Sequence, residues 1–246
     1  MTNFNRRQFL EASCLVAGAW AFAPRLLSAA IAPGVETIAS PLIAGEELSA
    51  QPDLWALEVR YKPVRMIYVE MPDPKTGKSS KQLVWYLAYR AVVRASSHVP
   101  DLPEDSPERP IFVPEFTFVT EDEGAPYTYQ DRVLPLAQAA INKRERHIYK
   151  NAVEIVGNLP QVTPDGAKSL KSIDGVATWT GIDPNTDFFT VYMSGFSNGY
   201  RVEAGPDGKE IVLRRTLAQK FWRPSDRFQQ NEDEIRLKDD PFWLYR

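Results

Sequence analysis

Few residues in this chain combine a reactive type with a useful spacing. Asp183-Pro184-Asn185-Thr186-Asp187 begins like a calcium loop, Asp-x-Asn-x-Asp, in which alternate oxygens converge on a hard cation. That loop needs glycine at its sixth position and a bidentate glutamate at its twelfth, where Phe188 and Ser194 stand. An Asp/Asn-rich turn entered through Pro184 accounts for the run, and no metal site is expected. Glu121-Asp122-Glu123 and Glu232-Asp233-Glu234 could set paired carboxylates across a glycosidic bond, the arrangement a hydrolase needs. Solvated charged loops are the simpler reading of both. Ser194 and Ser197 lie near glycines, but there is no G-x-S-x-G elbow, and only His98 and His147 could act as a base. No glycine-rich phosphate loop is present. The single cysteine, Cys14, falls in the N-terminal leader, so the body has no thiol nucleophile or disulfide. No cofactor is expected, and no catalytic residue is assigned.

Aromatic side chains remain. Trp55 and Trp85 follow strand periodicity and read as core. Trp179, Tyr200 and Trp222 are the candidates for ligand binding, because aromatics exposed together on a sheet face stack on sugar rings or on a partner surface. Burial of all three would count against a glycan platform.

The chain has 246 residues, of which 43% are hydrophobic and 25% charged, enough for one large domain with a substantial core. Its net charge of −3 becomes −5 once residues 1–30 are removed, leaving 26 basic and 31 acidic residues. A mildly acidic body does not suit nucleic acid, whose binding depends on clustered cations facing phosphate. Residues 1–30 read as a signal peptide: Arg6-Arg7 followed by Phe9-Leu10, an apolar run from Cys14 to Ala23, then Ser28-Ala29-Ala30. The arginine pair resembles a twin-arginine export signal, which implies a periplasmic or envelope location. The apolar run is too short for an ordinary membrane span, and none is expected in the mature chain.

Residues 31–52, small and aperiodic, read as a tether, and 53–246 as a single domain. Alternation predicts strands over 54–62, 64–71, 83–93, 111–120, 176–180, 188–196, 200–203 and 211–222. Leu83–Val93 is apolar on both faces at its start, which marks a central strand. Pro63 stops or bends the first strand. Asn198-Gly199 predicts a tight hairpin and Asp207-Gly208 a second. One helix is expected within 131–146, in an insertion spanning about 121–172, with Pro135 confined to its first turn and Lys143, Arg144 and Arg146 complementing its C-terminus. Three aromatics in the last five residues predict a docked terminal strand.

Val84-Trp85-Tyr86-Leu87-Ala88-Tyr89-Arg90, Gly175-Val176-Ala177-Thr178-Trp179, Asn198-Gly199-Tyr200 and Phe221-Trp222-Arg223-Pro224 together resemble a family of exported proteins of the planctomycete type. The resemblance implies export and carries no reaction. The expected fold is a mainly antiparallel β-sandwich, loosely immunoglobulin-like, with one helix in an insertion. The expected function is that of an exported, non-catalytic envelope protein, a binding module for another envelope protein or a polysaccharide. The alternative is a hydrolase of envelope or extracellular polymers acting through paired carboxylates.

Overall fold

The computed structural model describes residues 36–73, 77–122, 124–164, 171–205, 208–224 and 235–246. The chain divides into Met1–Ala32 and a compact unit, Pro33–Arg246, to which the described residues belong. The expected signal peptide lies outside them.

In chain order the elements are β1 (Thr37–Ala39), α1 (Gly45–Ala50), β2 (Glu58–Tyr61), β3 (Arg65–Pro72), β4 (Ser79–Val92), β5 (Ile111–Phe112), β6 (Glu115–Thr120), β7 (Thr128–Gln130), α2 (Pro135–Glu145), β8 (Gly157–Asn158), β9 (Ser172–Thr180), β10 (Phe188–Ser194), β11 (Tyr200–Ala204), β12 (Glu210–Trp222), β13 (Arg236–Leu237) and β14 (Phe242–Tyr245). The fold is mainly β, and every pairing between these strands is antiparallel.

β4 is the centre of the first sheet. It pairs with β9 along one side and with β3 and then β2 along the other. β2 and β3 are one strand broken at Pro63. The register steps from Tyr61↔Tyr89 to Arg65↔Tyr86, so one extra residue is accommodated where proline removes a ladder donor. Alternation along β4 then serves two cores. Trp85, Leu87 and Tyr89 point between the sheets, while Val84, Tyr86 and Ala88 point outward under α2.

The second sheet runs β11, β12, β10, β6, β7, with β13 and β14 also on β12. Its inner face sends Phe116, Phe118, Phe189, Val191, Leu217 and Phe221 against the first sheet. Phe118 stacks on Phe189 with centroids 4.3 Å apart, and both meet the edge of Trp85 at 5.7 Å. These offset and edge contacts are the arrangements aromatic quadrupoles favour. The two sheets make a β-sandwich.

α2 lies on the outer face of the first sheet. Pro135 occupies its first turn, and Ala137 and Ile141 are fully buried beneath it. Its last residue, Glu145, has only 3% of its side chain exposed, and pairs with Lys62 at 2.7 Å and Arg65 at 2.9 Å. The hydroxyl of Tyr86 donates to it at 2.8 Å. Burial alone would raise the Glu145 pKa, but the hydrogen bonds from Lys62 and Tyr86 and the charges of Arg65 and Lys62 outweigh it and hold the group ionised. The two cations flank the Pro63 break, so the bulge also positions the helix anchor.

Two expectations require correction. Residues 36–52 are not a tether: β1 extends the first sheet on β2, and α1 docks at the end of the second. Both elements are too short for hydrophobic periodicity to register. Asn198-Gly199 does not close a hairpin between β10 and β11, because both strands pair with β12 instead. Asn198 is a bracket: its Oδ1 accepts from Trp55 N at 2.7 Å and its amide donates to Asp53 O at 2.9 Å. The second hairpin, β11 to β12, forms as expected around Gly208, whose φ is +76°.

The chain leaves β10 through Gly195, which has φ +83°, and a Cβ there would lie 2.0 Å from Val113 O. Both the dihedral and the space exclude a side chain. Gly195→Ala should therefore lower unfolding free energy by at least about 2 kcal/mol, as measured by urea denaturation.

Candidate functional site

The three aromatic candidates do not converge. Trp179 is in register with Trp85 across β9 and β4 and is 0% exposed, so its place as a surface ligand-binding residue is corrected: it belongs to the core. Its polar neighbours Thr178 and Thr180 left its orientation open in the sequence, and pairing with a doubly buried strand decided it. Trp222 is half-buried on the outer face of the second sheet, paired with Phe188, with the Arg236 guanidinium 5.7 Å above its ring. Tyr200 is 54% exposed at the start of β11, opposite Arg214. Eight residues of β12 separate that point from Trp222, about 27 Å at the usual rise along a strand. One sugar chain of a few rings cannot stack on both.

Two residues of the first acidic run are engaged structurally. Glu121 accepts the Thr190 hydroxyl, and Asp122 Oδ1 accepts the backbone N–H groups of Asp187 at 3.0 Å and Phe188 at 2.8 Å. Glu123 and residues 232–234 lie outside the described residues. Asp183 closes an Asx turn, accepting Asn185 N at 2.8 Å. His147 pairs with Asp174 and rests on the Tyr149 ring at 4.6 Å. A histidine oriented by a carboxylate is two-thirds of a nucleophilic triad, but among the described contacts no hydroxyl meets its ring. No group of three or more His, Cys, Asp or Glu is placed to hold a metal ion among the described residues. No helix among them is long and apolar enough to cross a membrane.

Tyr200 does border a concave site. A groove of about 500 Å³ runs between β11 and α1, with Tyr245 also lining it. One bank is the outer edge of β11. Arg214 N donates to Arg246 O at 2.8 Å toward the β14 side, whereas Arg215 N donates to Gly199 O at 2.7 Å toward the β11 side. Alternate residues of an antiparallel ladder bond in opposite directions. The backbone groups of Arg201 and Glu203 therefore face Leu213 and Ile211 of β12, and the N–H and C=O groups of Val202 and Ala204 point away from β12, at the outer edge of the sheet. Among the described residues nothing pairs with them. Tyr200 N points the same way and donates to Gln51 Oε1 at 3.3 Å.

α1 forms the other bank, and a knot beneath it fixes its distance from the strand. Glu47 Oε2 accepts Ala44 N at 2.9 Å, closing the start of the helix on itself. Glu47 Oε1 accepts Arg215 Nε at 3.2 Å and the Tyr245 hydroxyl at 2.7 Å. Arg215, with 3% of its side chain exposed, also bonds Leu42 O and stacks on Trp243 at 4.4 Å. Burial would raise the Glu47 pKa, but the Ala44 and Tyr245 hydrogen bonds and the Arg215 charge reverse the shift, so it is held ionised below the usual glutamate range. Glu46 and Glu203 are exposed on opposite banks, and Arg201 lies 4.0 Å over the Tyr245 ring. No general acid, nucleophile and oriented base meet here. What the site offers is a charged groove beside a strand edge whose Val202 and Ala204 backbone groups have no protein partner among the described residues.

Sequence reasoning placed Tyr200 on a strand but missed Val202, Arg201, Glu203 and Glu47. Strict alternation of Tyr200, Val202 and Ala204 with Arg201 and Glu203 was a visible signal. Which edge stays open was not. Comparison with protein-family models, with curated proteins and with solved structures returned no match.

Glu47→Ala would leave Arg215 buried with one carbonyl and one aromatic face, and should cost about 2 kcal/mol of stability while loosening α1 from the groove, measured by urea denaturation and by hydrogen exchange at residues 45–51. A second test concerns Asp131, which joins the sheets where β7 ends. It accepts Thr178 N at 2.8 Å and the backbone N–H of Arg132, yet burial pushes its pKa up from 3.8 to about 6. Because the folded pKa is the higher one, stability from this group is fully present below pH 3.8 and is lost as pH rises through about 6. At pH 7 the ionised form costs on the order of 3 kcal/mol relative to the protonated one. Asp131→Asn keeps an acceptor without the charge. It should be at least as stable as the parent at pH 7 and should lose this part of the decline between pH 4 and 7 in pH-resolved denaturation.

Proposed function

We propose that this chain is an exported, non-catalytic envelope protein that binds another protein by accepting one of its extended segments along the open edge of β11. The observation that carries this reading is the outer edge of β11, where Val202 and Ala204 have no backbone partner among the described residues and Val202 borders a groove shared with α1. An extended peptide satisfies such an edge with backbone hydrogen bonds, and the flanking side chains select its sequence. Exposed strand edges ordinarily invite aggregation and are shielded by charge, proline or covering elements. Here the Gln51 side chain at the end of α1 covers the edge at Asn198 and Tyr200, and among the described residues Val202 and Ala204 have no such cover. Polysaccharide binding has less support, because Trp179, Tyr200 and Trp222 stand apart. The hydrolase reading has less support, because among the described residues Glu121 and Asp122 are already engaged by the Thr190 hydroxyl and by backbone N–H groups. Export rests on the Arg6-Arg7 leader and places the partner in the periplasm or envelope.

A photo-reactive amino acid in place of Glu203, in the full chain expressed in cells, should yield a discrete crosslinked polypeptide that the same probe at Asp101 does not. Adding Val202→Pro, which deletes the edge donor without touching a bond to β12, should lower that yield at least fivefold. Equal yields at the two positions, or indifference to the proline, would defeat the proposal.

A further inference from the structure

The identity of the segment that pairs with the open edge can be argued from β11 itself; this inference rests on the edge-pairing reading above. We propose that the occupant is β11 of a second copy of this chain, paired antiparallel about a two-fold axis at Val202. Three features of the strand support it independently.

The first is parity. Tyr200, Val202 and Ala204 are the residues whose backbone groups face outward. Antiparallel pairing centred on Val202 sets Val202 opposite the partner's Val202, and Tyr200 opposite the partner's Ala204. Outward residues then meet outward residues at every position, so a hydrogen-bonded ladder forms without a bulge. The ladder makes about six backbone hydrogen bonds, two of them at the central valines, and the partner's Ala204 carbonyl replaces Gln51 Oε1 at Tyr200 N in each copy, for a net gain of about four.

The second is charge. In the same register Arg201 lies directly opposite the partner's Glu203, and the two-fold repeats the pair in reverse. Opposite charges facing across a strand pair stabilise it, and like charges weaken it. Any antiparallel register shifted by two residues loses this match: it places Glu203 against Glu203 or Arg201 against Arg201.

The third is the apolar face. Val202, at 50% exposed, pairs with Val212, at 62%, on the face that also carries Tyr200. Joining two copies runs Val212, Val202, the partner's Val202 and the partner's Val212 into one continuous strip across four strands. The charges occupy the other face, over Tyr245. A surface that is self-complementary in backbone, charge and apolar pattern about a single point is what a closed two-fold interface requires.

The test is sedimentation equilibrium on the full chain over a wide concentration range. The wild-type chain should show a reversible monomer–dimer equilibrium. Val202→Pro should weaken it at least tenfold, and Glu203→Arg and Arg201→Glu should each do the same alone. Mixing those two single variants should restore dimers, because one chain then presents two arginines to two glutamates of the other. The double variant should self-associate within about threefold of wild type. Circular dichroism and melting temperature should change little, since the altered groups are exposed; a variant that fails this check is replaced by the mixing experiment with Glu203→Lys. A wild type that stays monomeric throughout, or a dimer indifferent to Val202→Pro and to charge reversal, overturns the proposal. In the crosslinking experiment at Glu203, a product of twice the chain mass supports self-pairing. A Val202-dependent product of another mass overturns self-pairing and leaves the groove reading standing, whereas no product at all removes both.

Discussion

The structure depends on β4 being buried on both faces. A strand can have that only if one sheet packs above it and something else covers it below, and each of those requirements recruits another part of the chain. Its inner residues, Trp85, Leu87 and Tyr89, need a second sheet of matching aromatic density, which β6, β10 and β12 provide through Phe118, Phe189 and Phe221. Its outer residues, Val84, Tyr86 and Ala88, need a lid, which α2 provides through Ala137 and Ile141. With no cysteine in the body, that packing has to hold the fold without covalent help.

Charge completes what packing begins. Glu145 under α2, Glu58 beside Arg60 and Arg94, and Glu47 beneath α1 each sit where desolvation raises the pKa. Each is held ionised because hydrogen bonds and cations converge on it. Buried pairs of this kind contribute little net stability over an apolar core of the same shape, but they penalise any other arrangement by stranding a charge. Those of Glu145 and Glu47 specify where α2 and α1 sit. The groove follows from that specification, since α1 has six residues, buries none of them fully, and is located by Glu47 and Gln51. Of the carboxylates that might have suggested hydrolysis, Glu121 accepts the Thr190 hydroxyl and Asp122 the backbone N–H groups of Asp187 and Phe188.

The sandwich was largely legible in the sequence. Period-two patterning identified the strands from Leu54 to Trp222, the two-sided apolar run at Leu83–Val93 marked the central strand, and helical spacing with Pro135 at its start marked α2. The aromatic cluster at the C-terminus announced β14. The candidate site was legible in one residue of three. Tyr200 borders the groove, Trp222 lies elsewhere on the sheet, and Trp179 is core. An aromatic on a strand records that the strand has a buried side, and pairing alone decides which side that is.

What the sequence determined by itself is therefore the set of local preferences: which segments extend, which coil into a helix, and where Pro63 and Gly208 interrupt or turn the chain. These depend on neighbours a few residues apart and can be read in order. The tertiary structure decided everything that depends on which partner a strand meets. It turned Asn198-Gly199 from a hairpin turn into a bracket on Trp55, made β1 and α1 of a stretch that reads as an aperiodic tether, and left the outer edge of β11 without a neighbour among the described residues. An edge is a property of what is absent beside a strand, and backbone donors and acceptors are the same for every residue type. No pattern of side chains along the chain can state it.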